Sequence, residues 1–170
     1  MAPTDLPVRP TTDMAKESLF NILVNTLDFQ QIEVLDLFAG TGNISYEFAS
    51  RGCPQVTAVD ISYRCTSFIR QVAIRLQFAA ITVIQADYKK FIKQSHRSWG
   101  LVFADPPYNM DGIREIPDLI FDHGMLVKNG LLIIEHDRQI EFSNHPFFRQ
   151  QRKYGKVNFS FFENIKSESF

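Results

Sequence analysis

The sequence is poor in cysteine: Cys53 and Cys65 are the only two in 170 residues. Neither shows ligand spacing with His96, His123, His136 or His145, which argues against structural zinc, and the reading is that the chain holds no metal. Both thiols are expected to be reduced and buried or packed on helices, as in a cytoplasmic protein. No apolar run approaches the roughly 18 residues of a membrane helix. The longest, around 130–134, has the length of a buried strand. The opening stretch MAPTDLPVRP lacks the basic and apolar regions of a secretory signal. An excess of positive charge is missing too. The formal net charge is −1, so any basic footprint for nucleic acid must be local. No repeat or low-complexity tract is visible.

What the chain does have is core. Hydrophobic residues make up 45% of it and Phe alone contributes 16, which suits one folded domain over 1–170, expected to be a monomer, and argues against disorder. Residues 1–10 read as an extended arm. Residues 11–27 read as a leading helix with Thr11, Thr12 and Asp13 as N-cap candidates and Ala15, Leu19, Ile22, Leu23 and Thr26 near one face. Over 32–163, strands then alternate with helices. Strand 32–38 leads through an A-G-T-G turn into a helix ending near Arg51-Gly52. Strand 55–59 is closed by Asp60, and helix 63–78 follows with Phe68, Val72, Ile74 and Leu76 as apolar positions. Strand 81–85, helix 88–94, strand 99–104, helix 113–123 and strand 130–135 complete the alternation. Finally 147–153 and 156–162 flank Tyr154-Gly155 as a hairpin. Repeated strand–helix units make a mostly parallel sheet wrapped by helices. With the antiparallel hairpin this gives a seven-stranded α/β sheet of the Rossmann-like, class I methyltransferase kind. Nicotinamide-binding folds usually continue in parallel strands instead.

The motifs sit at the carboxyl ends of these strands. In Val34-Leu35-Asp36-Leu37-Phe38-Ala39-Gly40-Thr41-Gly42-Asn43, Gly40 and Gly42 let backbone approach a ligand at a strand-to-helix turn. Asp60 follows at the next strand end, where a carboxylate can accept both hydroxyls of a ribose. Alone, this stretch also fits a dinucleotide site or an ordinary tight turn. Asp36 favours another ligand. A carboxylate in an apolar strand needs a buried partner, and the ammonium of S-adenosyl-L-methionine would supply one, whereas a pyrophosphate would be repelled. Asp87 ends the third strand; it could accept the adenine amine, with Phe38, Ile61 and Tyr88 around the nucleoside, or it could simply cap helix 88–94.

Asp105-Pro106-Pro107-Tyr108 at the fourth strand end is the most telling. The prolines remove backbone donors and stiffen the loop, leaving carbonyls free to accept. An exocyclic amine on a base is a poor nucleophile because its lone pair is delocalised into the ring. Acceptors aimed at its two N–H bonds, here the Asp105 carboxylate and the Pro106 carbonyl, would turn the lone pair toward the methyl donor and stabilise charge building on nitrogen. Tyr108 would stack on the base. A Pro-Pro turn without function remains the bland alternative for this motif taken singly. Jointly, the glycine turn, the acids and the proline motif point to S-adenosyl-L-methionine-dependent amino methylation, with S-adenosyl-L-homocysteine as product.

Arg9-Pro10-Thr11-Thr12-Asp13, Lys16-Glu17-Ser18-Leu19-Phe20-Asn21-Ile22-Leu23, the D-L-F-A-G-T-G turn, Ser50-Arg51-Gly52, Val59-Asp60 and F-A-D-P-P-Y together resemble the RsmD-type family. That resemblance implies methylation of a guanine N2 amine in 16S ribosomal RNA, free or in a small-subunit particle. It implies that Asp36, Gly40, Gly42, Asp60 and Asp87 hold the cofactor and that Asp105, Pro106, Pro107 and Tyr108 are catalytic. One departure stands out: where the family carries a basic, glycine-containing strand pair before R-P-T, this sequence has MAPTDLPV. Either that segment is trimmed or RNA contact falls to other basic surface. One window holds Lys89, Lys90, Lys93 and Arg97; the other holds Arg149, Arg152, Lys153 and Lys156. Short runs like these are often only solvated faces. The alternatives are an N6-adenine or N4-cytosine DNA methyltransferase, a non-catalytic cofactor-binding assembly factor and, furthest off, a nicotinamide dehydrogenase.

Overall fold

The computed structural model describes residues 13–165. The expected arm at 1–10 and the cap candidates Thr11 and Thr12 lie outside them. Helix α1 (Asp13–Leu23) buries Ala15, Leu19, Phe20 and Leu23. It closes before the expected Leu27 because polar side chains compete for its last carbonyls: the Asn25 amide donates to Asn21 O at 2.9 Å and the Thr26 hydroxyl to Ile22 O at 2.6 Å.

Seven strands form one sheet in the order β3-β2-β1-β4-β5-β7-β6. They are β1 (Glu33–Asp36), β2 (Gln55–Asp60), β3 (Ile81–Gln85), β4 (Trp99–Ala104), β5 (Leu126–His136), β6 (Phe148–Tyr154) and β7 (Val157–Glu163). The first five strands pair in parallel, and β7 enters antiparallel between β5 and β6. The expected hairpin is therefore present. Helices α2 (Asn43–Ser50), α3 (Tyr63–Arg75), α4 (Tyr88–Gln94) and α5 (Ile116–Asp122) connect the parallel strands.

Alternation along the strands builds two cores. Val34, Leu101, Phe103 and Ile133 face α1 and α2, where the Phe20 and Phe48 rings meet edge-on at 4.8 Å. Leu35, Val102, Leu132 and Ile134 face α4 and α5. Truncating a ring such as Phe20 to Ala should cost about 3–5 kcal/mol.

Helix α3 corrects one expectation. Its buried face is Cys65, Thr66, Ile69, Val72 and Ala73, while Ile74 is 79% exposed and Leu76 is exposed as well. The helix stops at Arg75, short of the expected residue 78, and Gln77 turns the chain with φ 57°. The last apolar residues thus fall beyond the stripe that meets the sheet. Strand β5 starts earlier than expected: Trp99 pairs with Leu126 and Leu101 with Leu131, the intervening residues bulging around Asn129 at φ 60°. Cys53 and Cys65 are buried, free thiols, and burial pushes both above the usual thiol range, to about 11 for Cys53.

Candidate functional site

The order of strands reverses direction of progress between β1 and β4, and ligands of such sheets bind in the crevice at the carboxyl ends there. A cavity of about 1210 Å³ opens at that point. Its wall includes Asp36, Phe38, Gly40, Asp60, Ile61, Asp87, Tyr88, Asp105, Pro106, Pro107 and Tyr108. The structure thus gathers in one place every expected site residue except Gly42.

Gly42 lies behind the wall and shapes it. Its φ is 83°, and a Cβ there would stand 2.6 Å from the Tyr46 ring. Gly42 N–H donates to Ala39 O at 2.7 Å, closing the turn before α2. Gly40 also adopts a positive φ, 55°. Its N–H donates to Asp60 Oδ2 at 2.8 Å, while Ser62 N–H donates to Asp60 Oδ1 at 2.8 Å. Asp60 therefore locks the glycine turn to the end of β2, a role the sequence reading did not assign. A carboxylate has about four acceptor positions, so both oxygens can still receive hydroxyls.

Asp36 is buried at the end of β1. Ser45 Oγ on α2 donates to its Oδ2 at 2.6 Å. Oδ1 has no partner among the described residues. Burial raises the carboxyl from 3.8 to about 7; the Ser45 hydrogen bond opposes this and the nearby Asp60 charge adds to it. A buried acceptor left open on a cavity wall fits a cationic ligand group such as an ammonium.

Asp87 does cap a helix, accepting Lys90 N–H at 3.1 Å through Oδ1. The capping alternative is thus realised, and the residue faces the cavity as well. Next to it the Phe38 and Tyr88 rings lie 4.9 Å apart, with Ile61 exposed across the cavity wall. Together they give the cavity an apolar patch beside Asp87.

The Asp105-Pro106-Pro107-Tyr108 loop closes the other side. Pro106 is buried, Tyr108 is 38% exposed, and the Pro107 carbonyl accepts Met110 N–H at 2.9 Å. Two contributions were missed from sequence. Ser45 holds Asp36 from another element. Glu135, buried at the end of β5, meets the Tyr108 hydroxyl at 3.4 Å. The β6–β7 turn brings Lys153, Tyr154 and Lys156 to the cavity. Lys153 and Lys156 belong to the second basic window named from sequence, whereas Ser45 and Glu135 carried no local signal. The first basic window is half paired: Lys89 meets Glu115 at 2.9 Å and Arg97 meets Glu33 at 2.6 Å, while Lys90 and Lys93 are exposed and form no ion pair among the described residues. Among the described residues no group of His, Cys, Asp or Glu is arranged to hold a metal ion, and no helix is long and apolar enough to cross a membrane.

The family model described as conserved hypothetical protein 95 matches residues 2–163. The chain is 26% identical over 164 residues to the ribosomal RNA small subunit methyltransferase D of Buchnera aphidicola subsp. Baizongia pistaciae, covering 94% of this chain and 83% of that protein. It is 32% identical over 137 residues to YlbH of Bacillus subtilis (strain 168), covering 78% and 73% respectively. Among solved structures, yhhF from Escherichia coli superposes with a TM-score of 0.83 at 24% identity, covering 95% of this chain and 91% of that one.

Proposed function

The chain belongs to the conserved hypothetical protein 95 family, the RsmD-type family its motifs resemble, and from that premise we propose that it methylates the exocyclic N2 amine of a guanine in small-subunit ribosomal RNA, using S-adenosyl-L-methionine. The observation that carries the reading is the pairing of two features on the lining of one cavity: the buried Asp36 carboxyl with an unpartnered oxygen, and the Asp105-Pro106-Pro107-Tyr108 loop.

When bound, S-adenosyl-L-methionine supplies a methyl group on a sulfonium sulfur and leaves as the thioether S-adenosyl-L-homocysteine. Asp36 would hold its ammonium, Asp60 its ribose hydroxyls and Asp87 its adenine amine, with Phe38, Ile61 and Tyr88 around the ring. Asp105 and the Pro106 carbonyl would accept the two N–H bonds of the guanine amine. That arrangement frees the nitrogen lone pair to attack and stabilises the positive charge the nitrogen gains. Asp105 is also the acceptor already in place for the proton the nitrogen then sheds. Tyr108 would stack on a base swung out of its helix or loop. Holding the reacting atoms in line supplies much of the rate.

The test is radiolabelled methyl transfer to small-subunit particles and to free rRNA from cells lacking the enzyme, with the product nucleoside identified by mass. N2-methylguanosine is expected. Asp105→Ala should lower the rate about 10²–10³-fold, by analogy with removing one oriented hydrogen-bond partner elsewhere, while S-adenosyl-L-homocysteine still binds. Tyr108→Phe should be mild, because stacking needs only the ring. A methyl on ribose or ring carbon, or wild-type turnover by Asp105→Ala, refutes the reading.

A further inference from the structure

Resting on that reading, we infer that Glu135 selects guanine by accepting the N1–H of the base whose N2 amine meets Asp105. Strands β4 and β5 run parallel with Ala104 opposite Ile134, so Asp105, the first residue past β4, comes next to Glu135, still within β5. Both line the cavity, and Glu135 is 3% exposed. Its Oε1 lies 3.4 Å from the Tyr108 hydroxyl. The carboxylate therefore sits at the edge of the ring on which the base would stack.

Asp105 and Pro106 read an amine, and an amine is common to guanine, adenine and cytosine. The ring position beside it differs. Guanine presents N1–H next to N2, a donor in line with the amine donors. Adenine N1 and cytosine N3 present a lone pair instead. An ionised carboxylate is an acceptor only, with about four lone-pair positions, so contact with Tyr108 leaves room for another donor. Facing a ring lone pair, the same carboxylate would be buried against an acceptor and would repel it. Side by side, the two carboxylates match a row of donors, and guanine is the base that carries an amine and a ring N–H in that row. Asp105 contacts the atom that reacts; Glu135 identifies its neighbour.

The experiment places guanine or 2-aminopurine at the methylated nucleotide of an rRNA assembled by splinted ligation and rebuilt into small-subunit particles. 2-Aminopurine keeps the N2 amine but has a lone pair at N1. Wild-type enzyme should prefer guanine by at least about 10² in kcat/KM, since sites built around a hydrogen bond reject analogues lacking it by up to about 10⁴–10⁵. Glu135→Gln can still accept the Tyr108 hydroxyl and can also donate to a bare N1. It should cut that preference at least about tenfold, with S-adenosyl-L-homocysteine affinity unchanged as the check on folding. If Glu135 only positioned Tyr108, both substrates would slow together and the ratio would hold, overturning the inference. Equal use of both bases by the wild-type enzyme would overturn it without any variant. No N2 methylation of guanine by wild-type enzyme would instead sink the underlying functional reading.

Discussion

Asp36 shows what a buried, half-partnered carboxylate costs the fold. An acid whose pKa is higher folded than unfolded holds its proton more tightly in the native state. As pH rises from 3.8 to about 7 the unfolded chain ionises while Asp36 does not, so stability falls across that window and stays lower above it. The largest loss consistent with that rise is about 4 kcal/mol. Asp36→Asn keeps an acceptor for Ser45 and carries no charge. At pH 8, without ligand, its Tm should rise by several degrees, at roughly 2–4 °C per kcal/mol for a chain of this size. On the proposed cofactor assignment the same variant should bind S-adenosyl-L-homocysteine at least tenfold more weakly, having lost a charge-assisted contact of about 1.5–3 kcal/mol. Melting curves with and without the ligand would register both changes. A lower Tm for the ligand-free variant at pH 8 would contradict the unrelieved burial of Asp36.

At the scale of elements, the turn between β1 and α2 is where local sequence and tertiary structure depend on each other. Gly42→Ala would keep φ 83° only under strain and would press its Cβ into the Tyr46 ring and to 3.0 Å from Ile69. A loss on the order of 1–3 kcal/mol is expected by urea denaturation, from backbone strain of this kind, together with weaker binding of S-adenosyl-L-homocysteine as the loop shifts; a stability equal to wild type would show that the ring yields freely. This turn was legible in the sequence because glycines between an apolar strand and a helix have few other uses. Asp36, Asp60, Asp87 and Asp105 were legible for a related reason: strand periodicity locates the carboxyl ends, and acids stand out there. The locking of Gly40 by Asp60 joins residues 20 apart, and the meeting of Tyr108 with Glu135 joins residues 27 apart. Such contacts follow from strand order, which no local pattern prints. Ile74 and Leu76 misled for the opposite reason: Ile74 is apolar but lies off the buried stripe of α3, and Leu76 lies past the helix end.

Over the whole molecule, a formal charge of −1 gives no general attraction to RNA, so where the unpaired cations lie matters more than how many there are. In the window around α4, Lys89 and Arg97 are held by Glu115 and Glu33, and the remaining Lys90 and Lys93 are not part of the cavity lining. On the hairpin, Arg149 pairs with Glu163 at 3.3 Å, but Lys153 and Lys156 are exposed on the cavity rim and unpaired among the described residues. Arg138 pins the turn between them, its Nη2 donating to Gly155 O at 2.6 Å. This places two cations at the mouth of the site, suited to the phosphates flanking a nucleotide that has swung inward. Exposed lysines on phosphates act by releasing counterions, at a slope of about 0.7 per contact for single strands. Replacing both by Gln should flatten the log–log dependence of RNA affinity on salt by roughly 1.4. KM at low salt should rise severalfold while kcat stays near wild type, since neither side chain belongs to the proposed amine-binding pair. The measurement is RNA binding and turnover across a salt series for wild type and the double variant. An unchanged salt slope would move the RNA path off the hairpin, and a fall in kcat at unchanged KM would place these lysines in the chemistry instead.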